Sequence, residues 1–583
     1  MDKRSSREFE QKVLKSKQKR TGLKPIATLP LLAIALAGCG GLTSGEPDLT
    51  IEFRVGSALK HLCADGAERY NRTNPKLDNG QSFQLTCTEM GSGDVVTSML
   101  ELANGFQTGS ISADDPSFPT LLSVDGEVFL SQLGFQMDAL FPGQNYIPDI
   151  PDAPLLANSP MVFMVPEDLA AGLENQDNIF AALVNAENHT DLDPGSRPLP
   201  ISFVQTAPTR SNSGLQTLIA QFASVSGQYP EYLNSGDIQQ YQADVQQIQR
   251  KVTRYGASTS SLARDAIANG PFWASIASVY ESSVIAANSE ADVGGTRYQA
   301  VYPQDTFTSN MRAILPNAPW VSDDEREAAL QVIEFFRSDE IQRLATEQGL
   351  RPGVPGIPLG PKFTERFGVD PNATYNSLRP PAPDVVDMML RSWQDFAKRP
   401  SQVVVVVDSS GSMEGVKLSA VQSTLSAYID SLGLQEEIVL VDFDESIRQP
   451  ILVDSSQEGR ARGYQFVTGL RADGGTRLYD ATIAARDYLL QNARPEAINA
   501  VIVLTDGEDS GSQLSFDVLN QELQQTGFAG DARIAVFTVG YSDRGGGFNP
   551  RVLEDIASVS GGYYREGDPS SISRLMADLQ VEF

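Results

Sequence analysis

At 583 residues the chain is too long for one hydrophobic core, and its 41% apolar and 20% charged residues are those of folded globular protein. The net charge of −29 opposes binding to nucleic acid or anionic lipid through a basic face, so no nucleic-acid partner is expected. The only histidines, His61 and His189, sit in no ligand-like context, and there is no Walker A loop, Gly-x-Ser-x-Gly elbow or His-Glu-x-x-His, so no enzyme is expected.

Residues 1–24 carry nine Lys/Arg against Asp2, Glu8 and Glu10, and an apolar run from Ile26 to Ala37 follows. That run is too short to span a bilayer, and the order of basic, apolar and small segments is that of an export signal. It ends in Leu36-Ala37-Gly38-Cys39, which resembles the bacterial lipoprotein cleavage box. The resemblance implies a signal peptide over residues 1–38, lipid on Cys39 and a place in the bacterial cell envelope, with membrane contact through that anchor alone. A plain signal peptide or a weak membrane anchor is the alternative. The leader contributes +6 of the −29, which leaves −35 on residues 39–583. Residues 39–48 read as a flexible tether. With Cys39 assigned to lipid, Cys63 and Cys87 remain, and outside the cytoplasm such a pair is usually a disulfide; two reduced, buried thiols are the other reading.

Residues 49–378 form the first large domain. A strand at Leu49–Val55, a helix through Tyr70, a strand at Phe83–Thr88 and a helix at 94–104 give a βαβα rhythm, which predicts a parallel sheet covered by helices. Small residues at the strand-to-helix turns leave backbone N–H groups free for an anion. Further on come Ala157-Asn158-Ser159-Pro160 before a strand at Met161–Val165, Ser211-Asn212-Ser213-Gly214 before a helix at 215–225, and a segment at 279–287 that fits strand or helix. Tyr298–Tyr302 reads as a strand. Residues 323–347 read as one long amphipathic helix, with Leu330, Ile333, Phe336 and Ile341 on its apolar face, stopped by Gly349-Leu350-Arg351-Pro352. This order resembles the type 2 periplasmic solute-binding fold. The resemblance implies two lobes with a ligand cleft between them near Ser57, Ser92, Ser213 and Tyr280, holding a small solute. Capping of the following helices is the alternative role for each serine. The acids of Ser112-Ala-Asp-Asp-Pro116 argue against an oxyanion as that solute.

Residues 379–400 read as a Pro-containing linker, and 401–583 as a second domain. Five valines, Val403–Val407, lead to Asp408; Ala500–Leu504 leads through Thr505 to Asp506; Thr476 closes Asp473-Gly-Gly-Thr476 ahead of a helix at 478–493. Such unbroken β-branched runs suit strands covered on both faces, and ligands of open α/β sheets bind at strand carboxyl ends. Asp408, Ser410, Ser412, Thr476 and Asp506 offer oxygen only, which suits Mg²⁺, Mn²⁺ or Ca²⁺ and not Zn²⁺. A turn with helix-capping side chains is the other reading of Asp408-Ser-Ser-Gly-Ser412.

The pattern Asp-x-Ser-x-Ser, then Thr, then Asp, resembles the metal-ion-dependent adhesion site of the von Willebrand factor A domain. So does the element order: strand 402–408, helix 416–432, strand 437–443, helix 478–493, strands 500–505 and 533–539. The resemblance implies an open metal position that takes an acidic residue from a protein partner. Asp442, Asp444 and Glu445 follow a strand and are further candidates for the site, but they read rather as a solvated edge. The expected fold is therefore α/β throughout: a two-lobed periplasmic-binding-protein-like domain, then a doubly wound, Rossmann-like von Willebrand factor A domain. The expected function is an envelope lipoprotein that grips a protein through the metal, with the first domain as scaffold or sensor. A substrate-binding receptor of an ABC-type transporter is the alternative.

Overall fold

The computed structural model describes residues 47–291, 296–527, 534–542 and 550–583. The signal segment, Cys39 and most of the tether lie outside the described residues. The α/β expectation holds in both halves.

In the first lobe, strand Leu49–Gly56 lies between Phe83–Met90 and Leu121–Ser123, all parallel. Its core joins Ile51, Phe53 and Val55 to Val332, Phe336 and Ile341 from late in the domain. In the second lobe, Phe203–Thr206 lies between Val252–Gly256 and Ile276–Tyr280, again parallel. One strand, Leu155–Pro166, ties the lobes together. Its first half pairs with Thr308–Arg312 and Arg351–Pro352, and its second half with Ile276–Tyr280 and Tyr298–Val301. Ala157–Pro160, read from the sequence as preceding the strand Met161–Val165, lies inside this longer strand because neighbours on both sides satisfy its backbone.

The segment that fitted strand or helix is both: strand Ile276–Tyr280 runs straight into helix Glu281–Glu290. The expected single helix 323–347 is two helices, Asp323–Phe336 and Asp339–Glu347. Ser338 breaks it by taking an extended backbone, and the acids Asp339 and Glu340 start the second helix favourably against its dipole. Leu330, expected on the apolar face, is exposed; the buried stripe is Ala329, Val332, Ile333 and Phe336. His61 is exposed, whereas His189 is buried without a hydrogen-bond partner for either ring nitrogen among the described residues.

Cys63 and Cys87 are bonded, with Cα atoms 6.0 Å apart, and the bridge clips helix Lys60–Asn71 to strand Phe83–Met90. Closing a loop of this size is worth about 3 kcal/mol on the loop-entropy estimate. Replacing both cysteines by alanine is expected to lower the stability of the full chain by about that amount in urea unfolding. Unchanged stability would show that the thiols do not bridge in solution.

Segment 379–400 carries helix Pro383–Ser392, whose Val385, Val386 and Met389 are buried with Trp393 against the second lobe. The Trp393 indole N–H donates to Gln249 Oε1 at 3.0 Å. The last domain is a six-stranded sheet in the order Ile451–Asp454, Glu436–Phe443, Ser401–Asp408, Ile498–Thr505, Ala535–Tyr541, Tyr564–Gly567. Only the Ile451–Asp454 edge is antiparallel. The valines sort by parity. Val403, Val405 and Val407 pack with helices Val416–Ser431 and Ile572–Val581, and Val404 and Val406 with Leu478–Asn492 and Phe516–Thr526. All five are buried, each contributing about 1.5 kcal/mol or more.

This last domain docks on the second lobe. Tyr255 N–H donates to Glu582 O at 3.1 Å. Arg254 Nη2 and the Trp273 indole N–H both donate to Gly561 O, at 3.3 and 3.1 Å. The Arg254 guanidinium is sandwiched between Trp273 and Phe537, 4.7 and 4.8 Å from the ring centres.

Candidate functional site

Strand Ser401–Asp408 is where the connections reverse: the chain continues to Glu436–Phe443 on one side and later to Ile498–Thr505 on the other. The crevice of a doubly wound sheet opens at such a point, beyond the strand carboxyl ends. Asp408 ends one of these strands and Asp506 follows the other. The third loop is stitched between them. Asp473 N–H donates to Ser409 O at 2.9 Å, Gly411 N–H to Gly474 O at 3.1 Å, and Ser510 N–H to Thr476 O at 2.9 Å. Gly474 has φ +70, a backbone only glycine adopts cheaply, and that turn presents its carbonyl to Gly411.

The five expected side chains come together. Ser410 Oγ and Ser412 Oγ are 3.0 Å apart, and Ser412 Oγ donates to Asp506 Oδ1 at 2.7 Å. The ideal Cβ position of Gly507 lies 3.9 Å from both Ser412 Oγ and Thr476 Oγ1, so these hydroxyls border the same spot. Asp408 is held by Ser410 N–H at 2.8 Å and by the Thr505 hydroxyl at 2.6 Å. Asp408, Ser410, Thr476 and Asp506 are buried, while Ser412 is exposed at the rim. Burial, with a smaller push from Asp506, raises the Asp408 carboxyl to about 6. Lys417, the second residue of helix Val416–Ser431, pairs with Asp506 Oδ2. Sequence reasoning missed this lysine, although its place just after Asp-x-Ser-x-Ser would have flagged it.

These residues fit a divalent ion. Two carboxylates and three hydroxyls converge from three loops, and the buried charge of Asp408 is costly until a cation meets it. Among the described residues no group of three His, Cys, Asp or Glu could hold a metal, so a site here depends on the hydroxyls. Asp442 and Asp444 are not the solvated edge they resembled. Ser409 Oγ donates to Asp442, and Arg448 spans Asp442 and Asp444 at 3.3 and 2.5 Å; Asp444 is buried, and only Glu445 is exposed. Arg448, four residues beyond Asp444, was the overlooked signal.

The four residues expected in the interlobe cleft also come together, but around an acid that the sequence reading did not single out. Ser57, Ser92, Ser213, Tyr280 and Asp125 are all buried where the lobes meet. Asp125 N–H donates to Ser92 Oγ at 3.0 Å, and Ala58 N–H donates to Asp125 Oδ2 at 3.3 Å. Asn212 Nδ2 donates both to Asp125 O and to Tyr280 Oη, at 3.0 Å each, and Ser309 Oγ also donates to Asp125 O. Ser213 Oγ is 2.7 Å from the hydroxyls of Thr206 and Thr259. The acids of 112–116 lie in a loop on the surface, with Ser112 and Asp114 exposed. At the mouth of the cleft, a cavity of about 180 Å³ is walled by Ser57 and Asp94 of the first lobe, Arg210 and Tyr255 of the second, and Asp578 and Glu582 of the last domain. A larger groove of about 770 Å³ lies elsewhere on the second lobe, beside Phe180, Tyr229 and Phe307.

Burial raises both Asp125 and Glu582 to about 7. The folded carboxyls therefore keep protons that ordinary unfolded Asp and Glu release near pH 4. Folding takes up protons between about pH 4 and 7, so stability from these two groups falls as pH rises through that window. Thermal unfolding is expected to show this fall, and Asp125→Asn with Glu582→Gln to flatten it. An unaltered pH profile in the double variant would contradict the assignment.

Residues 68–369 match the family described as bacterial extracellular solute-binding protein, and residues 402–578 match the von Willebrand factor type A domain. The first match covers just over half of the chain, and the chain belongs to that solute-binding family, with a von Willebrand factor type A domain following. Among curated proteins it is similar to human inter-alpha-trypsin inhibitor heavy chain H4, 28% identical over 183 residues, 30% of this chain and 19% of that one. The Bos taurus heavy chain H4 is 33% identical over 117 residues, 19% of this chain and 13% of that one. The chain thus spans about a fifth or less of these relatives. Among solved structures it is similar to a periplasmic thiamin binding protein, 14% identical, covering 59% of this chain and 95% of that one with a TM-score of 0.39. The sulfate-binding protein SubI from Mycobacterium tuberculosis is 16% identical, covering 53% and 88% with a TM-score of 0.35. A von Willebrand factor type A protein from Catenulispora acidiphila is 22% identical, covering 32% and 43% with a TM-score of 0.27. An extracellular solute-binding family points to the envelope or the exterior, and no described helix is long and apolar enough to cross a membrane.

Proposed function

We propose that this chain is a non-enzymatic binding protein of the bacterial envelope, tethered by lipid on Cys39, that grips a protein partner through a divalent metal at the adhesion-type site. Residues 1–38 are then the removed signal, 39–48 the tether, 49–378 the solute-binding-like domain, 379–400 the connection and 401–583 the gripping domain. The observation that carries the reading is the convergence of Asp408, Ser410, Ser412, Thr476 and Asp506 from three loops on one crevice, with Ser412 at its open rim. Asp408 and Asp506 balance the charge of Mg²⁺, Mn²⁺ or Ca²⁺, and the three neutral hydroxyls leave the bound ion Lewis-acidic enough to take a partner's carboxylate. Lys417 supplies the competing positive charge on Asp506. The reading as a transporter receptor is disfavoured by the last domain, which stands across the mouth of the cleft and pairs Asp578 with Arg210 at 2.8 Å.

The test is capture of envelope proteins by the tagged full chain in Mg²⁺. Capture should be lost in EDTA and in Thr476→Ala, but kept in Asp473→Ala, whose exposed side chain caps only Gly474 N–H at 2.8 Å. Capture that survives both EDTA and Thr476→Ala would mean that this crevice is not the gripping face.

A further inference from the structure

Four helices start at the junction of the lobes. Lys60–Asn71 and Ser92–Thr108 come from the first lobe, Asn212–Ser226 and Glu281–Glu290 from the second. Helix N-termini gathered in this way favour negative charge. The space they surround is taken by a side chain of the protein itself. A Cβ on Gly56 would collide with the Asp125 carboxylate, and Asp125 Oδ2 accepts Ala58 N–H at the start of the first helix. Asp125 Oδ1 and Asn212 Oδ1 are buried without hydrogen-bond partners among the described residues, so this pocket is polar and incompletely satisfied.

The lobes are also shut directly on each other. Gly93 N–H donates to Arg210 O at 3.0 Å, and a Cβ on Gly93 would collide with Thr209 O. Arg210 holds Asp94 across the cleft with Nε at 3.0 Å and Nη2 at 2.7 Å. We propose that Asp125 is a built-in ligand: its carboxylate occupies the anion position between the lobes and holds the cleft closed without a solute. The side chain that completes the site is covalently part of it, so a free anion enters only when that carboxylate is removed. The inference does not depend on the metal site, and its readouts are taken in EDTA.

The experiment uses the full chain at pH 8, with formate and sulfate as probes and chloride at equal ionic strength as control. Asp125→Ala should be less stable and have a larger radius of gyration by solution scattering. Formate, which replaces the deleted group, or sulfate should restore both, saturably. Wild type should show no saturable thermal shift and no change in radius with either anion. A folded Asp125→Ala that ignores both anions overturns the proposal, as does a wild type that contracts or is stabilised by them. Should Asp125→Ala not fold, Asp125→Asn keeps the size and removes the charge. Its uncharged amide fills the same position, so neither anion should shift its melting temperature saturably, and a saturable shift with either one would overturn the proposal.

Discussion

Asp408→Ala is expected to abolish binding of Mg²⁺ and Mn²⁺ while leaving the fold in place. The residue is buried at the end of the central strand, and its carboxylate is held by one backbone N–H and one hydroxyl. Removing it takes away one of the two charged donors, and the remaining hydroxyls with Asp506 do not balance a divalent ion. The strand itself stays anchored by Val403–Val407 and by parallel neighbours on both sides. Since burial raises the Asp408 carboxyl to about 6, alanine also removes a group whose charge is costly in the metal-free protein. The variant should therefore unfold at or above the wild-type midpoint in EDTA and fail to gain stability from added metal. Lys417→Met is the complementary change: without the ammonium on Asp506, metal affinity should rise. Calorimetry with equal affinity in Asp408→Ala and wild type would remove the site assignment.

Arg254→Ala is expected to cost about 3 kcal/mol at pH 8, because it strips a buried cation from the seam between the second lobe and the last domain. The guanidinium loses two aromatic faces and the bond to Gly561 O, and Glu582 beside it is left buried with less compensation. Burial lowers the Arg254 pKa and raises that of Glu582, so desolvation outweighs their attraction at both groups. Glu582→Gln in the Arg254→Ala background should therefore recover part of the loss. A double-mutant cycle in chemical unfolding reads that coupling. Strictly additive effects would mean that the two groups do not sense each other across the seam.

The candidate site, with Asp408, Ser410, Ser412, Thr476 and Asp506 on three loops, was legible because each of its parts has a local signature. Five valines mark a doubly covered strand, and an Asp directly after such a strand marks its carboxyl end. The parallel βαβα order of the first lobe was readable for the same reason. What the sequence hid is long-range. Asp125 follows a three-residue strand with no periodicity to find, and its meaning comes only from helices that start at residues 60, 92, 212 and 281. The break at Ser338 was masked because apolar spacing continues across it, with Ile333, Phe336 and Ile341 all reaching one core. Ala157–Pro160 carried turn residues, yet two partner strands overrode their local preference. Docking of the last domain rests on Arg254, Trp273 and the carbonyl of Gly561, and no sequence pattern announces such a pairing.

Growing crystals of the full chain in Mn²⁺ and locating the ion by its anomalous scattering addresses the metal site itself. The expected result is one strong peak within coordination distance of Ser410 and Ser412, with Asp408, Thr476 and Asp506 around it and the Lys417 ammonium withdrawn from Asp506. A Mn²⁺ peak elsewhere on the chain, with Lys417 still paired to Asp506, would contradict it.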